Sequence, residues 1–342
     1  MVTPPLVQSS LDRANRPAPR QPAHLRADLA QARSAWLASG DDAQLPIVDA
    51  HHHFWDLARN PHPWLTQQPR IAFRYGDYGA ICRDFLPADY RALAQGHRVL
   101  RHVLMEGEWA PRDPGGEARW VQQLADDTGV PHALAAQAWL DREDLPELLA
   151  GYARLPIVRS VRHKPRSVPR AQHRSDFAEP GSMRCPRWRD GFARLQAAGL
   201  MFELQTPWWH LDEAVELARD FPATTLVLNH AGLPAERDPV SLAAWGAAMS
   251  RLADCPSVVA KISGIGVPGR PWTAELQAPV VHGVIERFGV QRCLFASNFP
   301  VDGLVASLDT IFSGFKQLTR HLSPPDRLAL FCDNAVRIYQ LD

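Results

Sequence analysis

The sequence predicts an α/β protein of the (β/α)₈ (TIM) barrel class, with an N-terminal tail and extra C-terminal helices. Eight short apolar runs alternate with seven amphipathic stretches. The span 46–342 suits a barrel, for which about 250 residues are typical. Histidines, and not a glycine-rich phosphate loop, follow the first run, which disfavours the alternative of a doubly wound nucleotide-binding sheet.

Composition restricts the function classes. Hydrophobic residues make up 46% of the 342 positions, and Lys+Arg balances Asp+Glu at 37 each. A chain without basic excess is a poor partner for nucleic acid, and no apolar run approaches the ~20 residues of a membrane span. The N-terminus lacks the apolar stretch of a secretory signal, so we expect a cytoplasmic protein. Nothing in the sequence indicates a particular oligomeric state.

Two regions are predicted, a tail over 1–45 and the barrel over 46–342. Residues 1–20 are rich in Pro, Arg, Gln and Ser, a composition too polar to offset the entropy of ordering. Residues 24–38 have helical composition and predict a short helix, which Gly40 ends.

The predicted strands and helices then follow in order. The strand-like runs lie at 46–50, 98–106, 133–140, 157–163, 200–205, 224–230, 257–263 and 292–297. The helical stretches lie at 86–96, 117–129, 143–155, 188–199, 211–221, 242–255 and 278–289, with a helical tail at 304–341. Most helices show apolar residues at i, i+3 and i+4. Long polar or aromatic segments at 54–85 and 164–187 are candidate lids over the C-terminal mouth, where barrel active sites lie.

Histidines give the strongest chemical signal. His51 and His53 end the first strand, and alternation places both on one face. His230 directly follows the sixth strand. Three imidazoles at one rim predict a metal site or a set of donors for an oxyanion; a histidine-rich loop without a ligand is the alternative.

The end of the fourth strand carries several charges. By alternation, Arg162 and His163 lie on opposite faces, so one of them is expected to reach the pocket. A pocket cation would suit a carboxylate or sulfonate on the substrate. A solvated run of charges is the competing interpretation.

Lys261 lies inside an apolar strand, where an unpaired ammonium is costly. It is therefore predicted either to bind substrate or to pair with Glu106, Glu108 or Glu203. After the eighth strand, Asn298 can orient a water but cannot take its proton.

The motifs together resemble a known family. They are DAHHHFWD, the Asn229-His230 pair, KISG, FASNFP and FCDNAVRIY. The set resembles the amidohydrolase superfamily, and most closely its amidohydrolase-2 branch, over about residues 46–342. That branch includes sugar lactonases, 2-pyrone-4,6-dicarboxylate lactonases and sulfomuconolactone hydrolases.

The resemblance implies roles for individual residues. His51, His53 and His230 match the family's histidines, which commonly hold a divalent ion such as Zn²⁺; catalysis without a metal is the alternative. Arg162 and His163 match the substrate-binding segment of the lactonases.

Many relatives read SDWP after the eighth strand, and Asn298 stands at the position of that aspartate. Asp302, Glu106 or one of the histidines is therefore left to activate water, unless the chemistry is weak or lost. Asn298 and Trp55 are expected to contact the substrate.

The sequence thus predicts a hydrolase that opens a lactone of a small, anionic organic or sugar acid, with a small molecule as its partner. Water attacks the carbonyl, and the three histidines stabilise the oxyanion. Two alternatives remain open. One is a metal-dependent decarboxylase or hydratase of the same superfamily, and the other is a barrel that binds a ligand without catalysis.

Overall fold

The computed structural model describes residues 23–341. The tail predicted over 1–20 lies outside the described residues. Helix α1 (Ala23–Ser39) occurs where the sequence predicts a short helix. Across residues 23–341, no helix has both the length and the apolar character that a bilayer span requires.

Eight parallel strands form one sheet in chain order, which confirms the predicted barrel. The strands are β1 (Pro46–His52), β2 (Arg98–Met105), β3 (Ala133–Gln137), β4 (Val158–His163), β5 (Met201–Leu204), β6 (Leu226–Leu228), β7 (Val258–Ile262) and β8 (Cys293–Phe295). Strands β6 and β8 are shorter than their apolar runs predict, and the backbone leaves the extended conformation at His230 and Asn298, both with φ of 55°.

Helices surround the sheet. They are α2 (Pro63–Thr66), α3 (Pro87–Leu93), α4 (Gly116–Thr128), α5 (Leu145–Ala153), α6 (Pro186–Ala198), α7 (Leu211–Asp220), α8 (Pro239–Ala253), α9 (Ala274–Phe288), α10 (Leu308–Leu318), α11 (Pro324–Leu328) and α12 (Asn334–Tyr339). A π-helical turn, Ala329–Asp333, joins the last two. These C-terminal helices are the extra helices that the sequence predicts.

Two apolar layers hold the barrel. Alternate residues of most strands, such as Val48, Met105 and Val259, form an interior cluster that Tyr339 and Leu341 close from the C-terminal end of the chain. The other strand face packs against the helices in a larger cluster. Burial of each large apolar side chain contributes roughly 1.5–3 kcal/mol.

The first and last strands meet at the C-terminal mouth. The backbone N–H of Asn298 donates to the carbonyl of His51 at 2.7 Å, and the N–H of His53 donates to the carbonyl of Phe299 at 2.7 Å. These two bonds join the segment after β8 to the end of β1. The ring of strands is therefore drawn together at the rim that carries the predicted site.

Strand β1 contains a register slip against β2. Asp49 pairs with His102, and His52 pairs with Leu104. Three residue steps on β1 therefore oppose two on β2, which is the signature of a β-bulge.

The bulge changes which side chains face inward. Ala50 belongs to the interior cluster, and His51 and His53 follow it into the mouth of the barrel. His52 faces outward, with its ring 4.9 Å from that of Tyr90. One extra residue thus switches the strand from an apolar interior below to imidazoles above.

Candidate active site

The three predicted histidines meet at one rim. The ring centroids of His51 and His53 are 5.4 Å apart, and those of His51 and His230 are 4.5 Å apart. All three side chains are buried. The structure therefore brings together residues 51, 53 and 230 from the first and sixth strands.

His53 has a defined tautomer. Its Nδ1 lies 3.1 Å from the carbonyl oxygen of Met105, and a carbonyl can only accept, so Nδ1 carries the proton. Burial, helped by the nearby charge of Arg162, holds the pKa of His53 well below its usual value. The ring is therefore neutral, and its Nε2 presents a lone pair.

His230 occupies a strained position. Its own φ is 55°, in the left-handed region that non-glycine residues rarely adopt. Its Nδ1 lies 3.0 Å from the hydroxyl of Ser263. Gly264 gives the ring room, since a Cβ at that position would lie 2.3 Å from Nδ1 of His230.

His51 lies deepest of the three. Both of its ring nitrogens are buried without a hydrogen-bond partner among the described residues. Burial and the neighbouring His230 hold the pKa of His51 well below its usual value, so the ring is neutral. An unsatisfied buried nitrogen costs roughly 1–3 kcal/mol, which a bound water or metal ion would recover.

A cavity of about 310 Å³ opens above these rings, and we call it the catalytic cavity. Its walls include His53, Trp64, Phe73, Arg74, Glu108, Arg162, Lys164, Gln205, His230 and Asn298. Three of these wall residues, Glu108, His230 and Asn298, have φ between 55° and 59°. Strain of this kind concentrates at functional sites.

Arg162 and Glu106 form a buried ion pair. Nε of Arg162 lies 2.6 Å from Oε1 of Glu106, and both side chains are buried. The second carboxylate oxygen of Glu106 accepts the N–H of Glu108 at 2.7 Å. Arg162 is the strand-four residue that lines the catalytic cavity, and Glu106 holds it there with each carboxylate oxygen already hydrogen-bonded.

His163 faces away from the catalytic cavity. Its Nδ1 accepts a hydrogen bond from Nε1 of Trp188 at 3.1 Å. Burial lowers the pKa of His163 to about 4. The residue instead lines a smaller neighbouring cavity.

Lys261 lies beneath the site and does not reach the substrate space. Its Nζ lies 2.9 Å from Oε2 of Glu203, and both side chains are fully buried. Asn229 and Ser160 also bond to Glu203, as does Tyr339. Lys261 therefore forms a structural ion pair, which is the second of the two roles that the sequence left open. It does not line the catalytic cavity, so its predicted role in substrate binding is not supported by the structure.

Asn298 and Asp302 form a connected pair. Nδ2 of Asn298 donates to Oδ1 of Asp302 at 2.7 Å, and the hydroxyl of Tyr75 and Nη2 of Arg74 reach the same oxygen at 3.0 and 3.3 Å. Burial raises the pKa of Asp302. Asp302 orients Asn298 from behind, so it is poorly placed to act as the base.

Trp55 differs from its expected place in the substrate site. Its side chain is fully buried, and its Nε1 donates to the carbonyl of Arg83 at 2.7 Å. It belongs to the shell between strands and helices. Trp64, further along the same loop, supplies the aromatic wall of the catalytic cavity instead.

Several residues at the site were not predicted from the sequence. Arg74 and Gln205 line the catalytic cavity, and Ser263 bonds to His230. Ser263 lies in the KISG motif, from which its role could have been predicted. Arg74 lies in an irregular loop, where no motif points to a role. Of the second candidate lid, Lys164 reaches the catalytic cavity.

The cations of the catalytic cavity are paired. Arg74 contacts Asp302, Arg162 contacts Glu106, and Lys164 contacts Glu108. Three positive charges thus face three carboxylates. The cavity is polar but electrically balanced.

The three imidazoles are suitable metal donors. Zinc is bound by neutral imidazole, commonly with the other ring nitrogen bonded to a backbone carbonyl, as Nδ1 of His53 is to Met105. The unpartnered nitrogens of His51 add a second donor. Among the side chains of residues 28–341, the only group of three or more His, Cys, Asp or Glu with ligand atoms all within 4.8 Å of one another is His173, His210 and Glu213, so the trio at the mouth is more open than a closed metal cage.

Comparisons with known proteins identify the family of the chain. The amidohydrolase family model matches residues 48–341. An uncharacterized protein, y4mH, of Sinorhizobium fredii is 37% identical over 87% of this chain and all of its own. An L-fucono-1,5-lactonase of Burkholderia ambifaria is 28% identical over 86% of this chain and 96% of its own. A crystal structure of an amidohydrolase from Burkholderia multivorans with bound zinc is 27% identical, with a TM-score of 0.70, over 86% of this chain and 99% of that one. The chain therefore belongs to the amidohydrolase family.

Proposed function

We propose that the protein hydrolyses an uncharged, polyhydroxylated lactone, that is, a sugar lactone. The observation that carries this proposal is the convergence of three neutral imidazoles on a cavity whose cations are already paired. An anionic substrate, as the sequence suggested, would need a cation free to bind it. The L-fucono-1,5-lactonase relative acts on a substrate of the proposed class.

His53 is the proposed general base. Its Nε2 is unprotonated because Nδ1 donates to the carbonyl of Met105, and the lowered pKa keeps it so near neutral pH. Asn298 gives its N–H₂ to Asp302, so its Oδ1 is free to accept a hydrogen bond from the attacking water. Water is thereby held by an acceptor while the imidazole removes a proton.

His230 is the proposed donor to the carbonyl oxygen. When the Ser263 hydroxyl donates to Nδ1, the proton of the neutral ring lies on Nε2. That N–H then stabilises the oxyanion formed by water attack. Collapse of the tetrahedral intermediate breaks the ring C–O bond, and His53 returns its proton to the leaving oxygen, which yields the hydroxy acid.

A zinc ion, if bound, would be held by His51, His53 and His230, whose nitrogens would then serve as ligands in place of the base and donor roles above, and it would supply Lewis-acid polarisation of the carbonyl. The donor chemistry of the trio fits such an ion. The positioning of the substrate by Trp64 and Gln205, and of water by Asn298, rests on the chain itself.

The test is a pH-stat assay against a panel of lactones, corrected for spontaneous hydrolysis. The panel contains L-fucono-1,5-lactone, other sugar 1,5-lactones and the dianionic 2-pyrone-4,6-dicarboxylate. We expect turnover of at least one sugar lactone and loss of turnover in both His51→Ala and His230→Ala. Full activity in both variants, or turnover of the dianion alone, would reject the proposal.

A further inference from the structure

We propose that a second cavity beside the catalytic cavity binds an additional sugar ring, so that the preferred substrate is a glycosylated aldonolactone. The inference rests on the proposed function and names its substrate class. We call this space the second cavity; it has a volume of about 240 Å³. Complete ligand sites usually span ~300–1,000 Å³, so this volume suits one ring and not a whole ligand.

The two cavities share a wall. Trp64, Glu108, Arg162 and Lys164 line both of them. The ion pair of Lys164 and Glu108 stands between the two spaces. A ring bound in the second cavity therefore lies next to a lactone in the catalytic cavity, at the same rim of the barrel.

Aromatic side chains dominate the second cavity. Trp64, Trp109 and Trp139 come from the loops after β1, β2 and β3 and all line it. Trp109 is held from behind by Trp120, with the rings stacked at 6.5 Å. Rigid indole faces give large contact area at low entropic cost, and the C–H face of a pyranose is an apolar surface of matching size.

Polar groups in the same cavity are suited to hydrogen-bond with hydroxyls of a bound ligand. Gln137, at the end of β3, is only 5% exposed, and its Oε1 has no hydrogen-bond partner among the described residues. His163 accepts from Trp188 at Nδ1, so the proton of its neutral ring lies on Nε2. An unpartnered amide oxygen and an imidazole N–H match the donors and acceptors of sugar hydroxyls.

A purely apolar ring would fit the walls less well. It would leave the buried amide oxygen of Gln137 without a hydrogen-bond partner, which is unfavourable. A charged ring would meet a cavity whose cations Arg162 and Lys164 are paired with Glu106 and Glu108. The uncharged, hydroxylated ring is the occupant that satisfies both sets of groups.

The binding test uses products and does not depend on turnover. Isothermal titration calorimetry compares gluconate with its glycosylated forms lactobionate, maltobionate, cellobionate and melibionate. We expect at least one glycosylated acid to bind about tenfold or more tightly than gluconate. Gln137→Leu and the milder Trp139→Phe should each reduce that ratio to threefold or less, with thermal melts to show that both variants fold. Trp209→Phe, at a partly exposed site that lines a separate cavity, is the matched control and should keep the ratio.

The kinetic test compares the corresponding lactones. The ratio of kcat/KM for a glycosylated lactone over glucono-1,5-lactone should exceed ten and should fall in Gln137→Leu. A ratio near one for every member, in both kinetics and calorimetry, would overturn the second-cavity proposal. Absence of any lactone turnover would reject the proposed function, and the calorimetric ratio would still decide whether the second cavity binds sugar.

Discussion

The Nδ1 atom of His53 lies 3.1 Å from the carbonyl oxygen of Met105, on the neighbouring strand. A backbone carbonyl is part of the barrel and cannot rotate away as a side chain can. The scaffold therefore sets the protonation pattern of the imidazole, and Nε2 is left as a base or a ligand. The preceding residue, His52, faces the opposite side of the strand and packs against Tyr90.

Replacing His53 should remove most of the activity. We expect His53→Gln to lower kcat/KM on a sugar lactone by about 10²- to 10⁴-fold, the usual contribution of a general base. His52→Gln is the matched control, since it changes an adjacent buried imidazole outside the cavity. Equal losses in both variants, measured at a temperature where both are folded, would contradict the role of His53.

Acid should destabilise the protein below pH 6.5. Burial lowers the pKa of His52 to about 3 and that of His163 to about 4, while an unfolded histidine titrates near 6.5. Between those values the unfolded state binds protons that the native state does not, so stability falls as pH falls. Each such histidine contributes a slope of up to ~1.4 kcal/mol per pH unit.

The measurement is the free energy of urea unfolding between pH 8 and pH 4. We expect a plateau above pH 7 and a decline that steepens below pH 6.5. His163→Asn should make the decline of the unfolding free energy between pH 6 and pH 5 shallower, by up to the amount that one bound proton contributes. A stability that stays constant down to pH 5 would show that these imidazoles are not held neutral.

A methyl group at Gly264 should displace His230. A Cβ there would lie 2.3 Å from Nδ1 of the ring, and the φ of Gly264 is +56°. Gly264→Ala is expected to lower kcat/KM by at least tenfold and to reduce the melting temperature. Gly269→Ala shares the positive φ, at +68°, but its Cβ would meet nothing within 4 Å, so it isolates backbone strain from the collision. Similar kinetic losses in the two variants would argue against a collision with His230.

An aspartate at position 298 should be destabilising. Asn298→Asp would set two buried carboxylates at the 2.7 Å separation of the present hydrogen bond, and like charges so close cannot both ionise. We expect a loss of about 1–3 kcal/mol at pH 8, which diminishes toward pH 5. The double variant Asn298→Asp/Asp302→Asn restores one donor and one acceptor and should recover most of the loss. Unchanged stability of the single variant across this pH range would contradict the observed contact.

The sequence predicted the barrel because strand and helix periodicities are local properties. It also predicted the meeting of His51, His53 and His230, since strand ends share a rim in any such barrel. Strict alternation alone would have placed His51 on the face opposite Ala50, yet both face inward. The bulge between Asp49 and His52 resolves this, and a bulge depends on pairing with β2 that the sequence of β1 does not contain.

Side-chain partners were harder to predict. Arg162 and Glu106 are 56 residues apart, and either could have met substrate until the structure paired them. Arg74 reaches Asp302 from an irregular loop without periodicity. Ion pairing in a buried site depends on distances of a few ångströms, which alternation and composition do not determine.

The hydrogen-bonded junction, or seam, between β1 and the segment after β8 determines when during synthesis the candidate active site can form. Asp49 accepts hydrogen bonds from Ser297 across 248 residues of chain, and Asn298 bonds to the backbone of His51 on the same seam. A nascent polypeptide whose last strand is still inside the ribosome lacks half of this junction. The rim that carries the three histidines is therefore completed only after β8 and the residues that follow it have been synthesised.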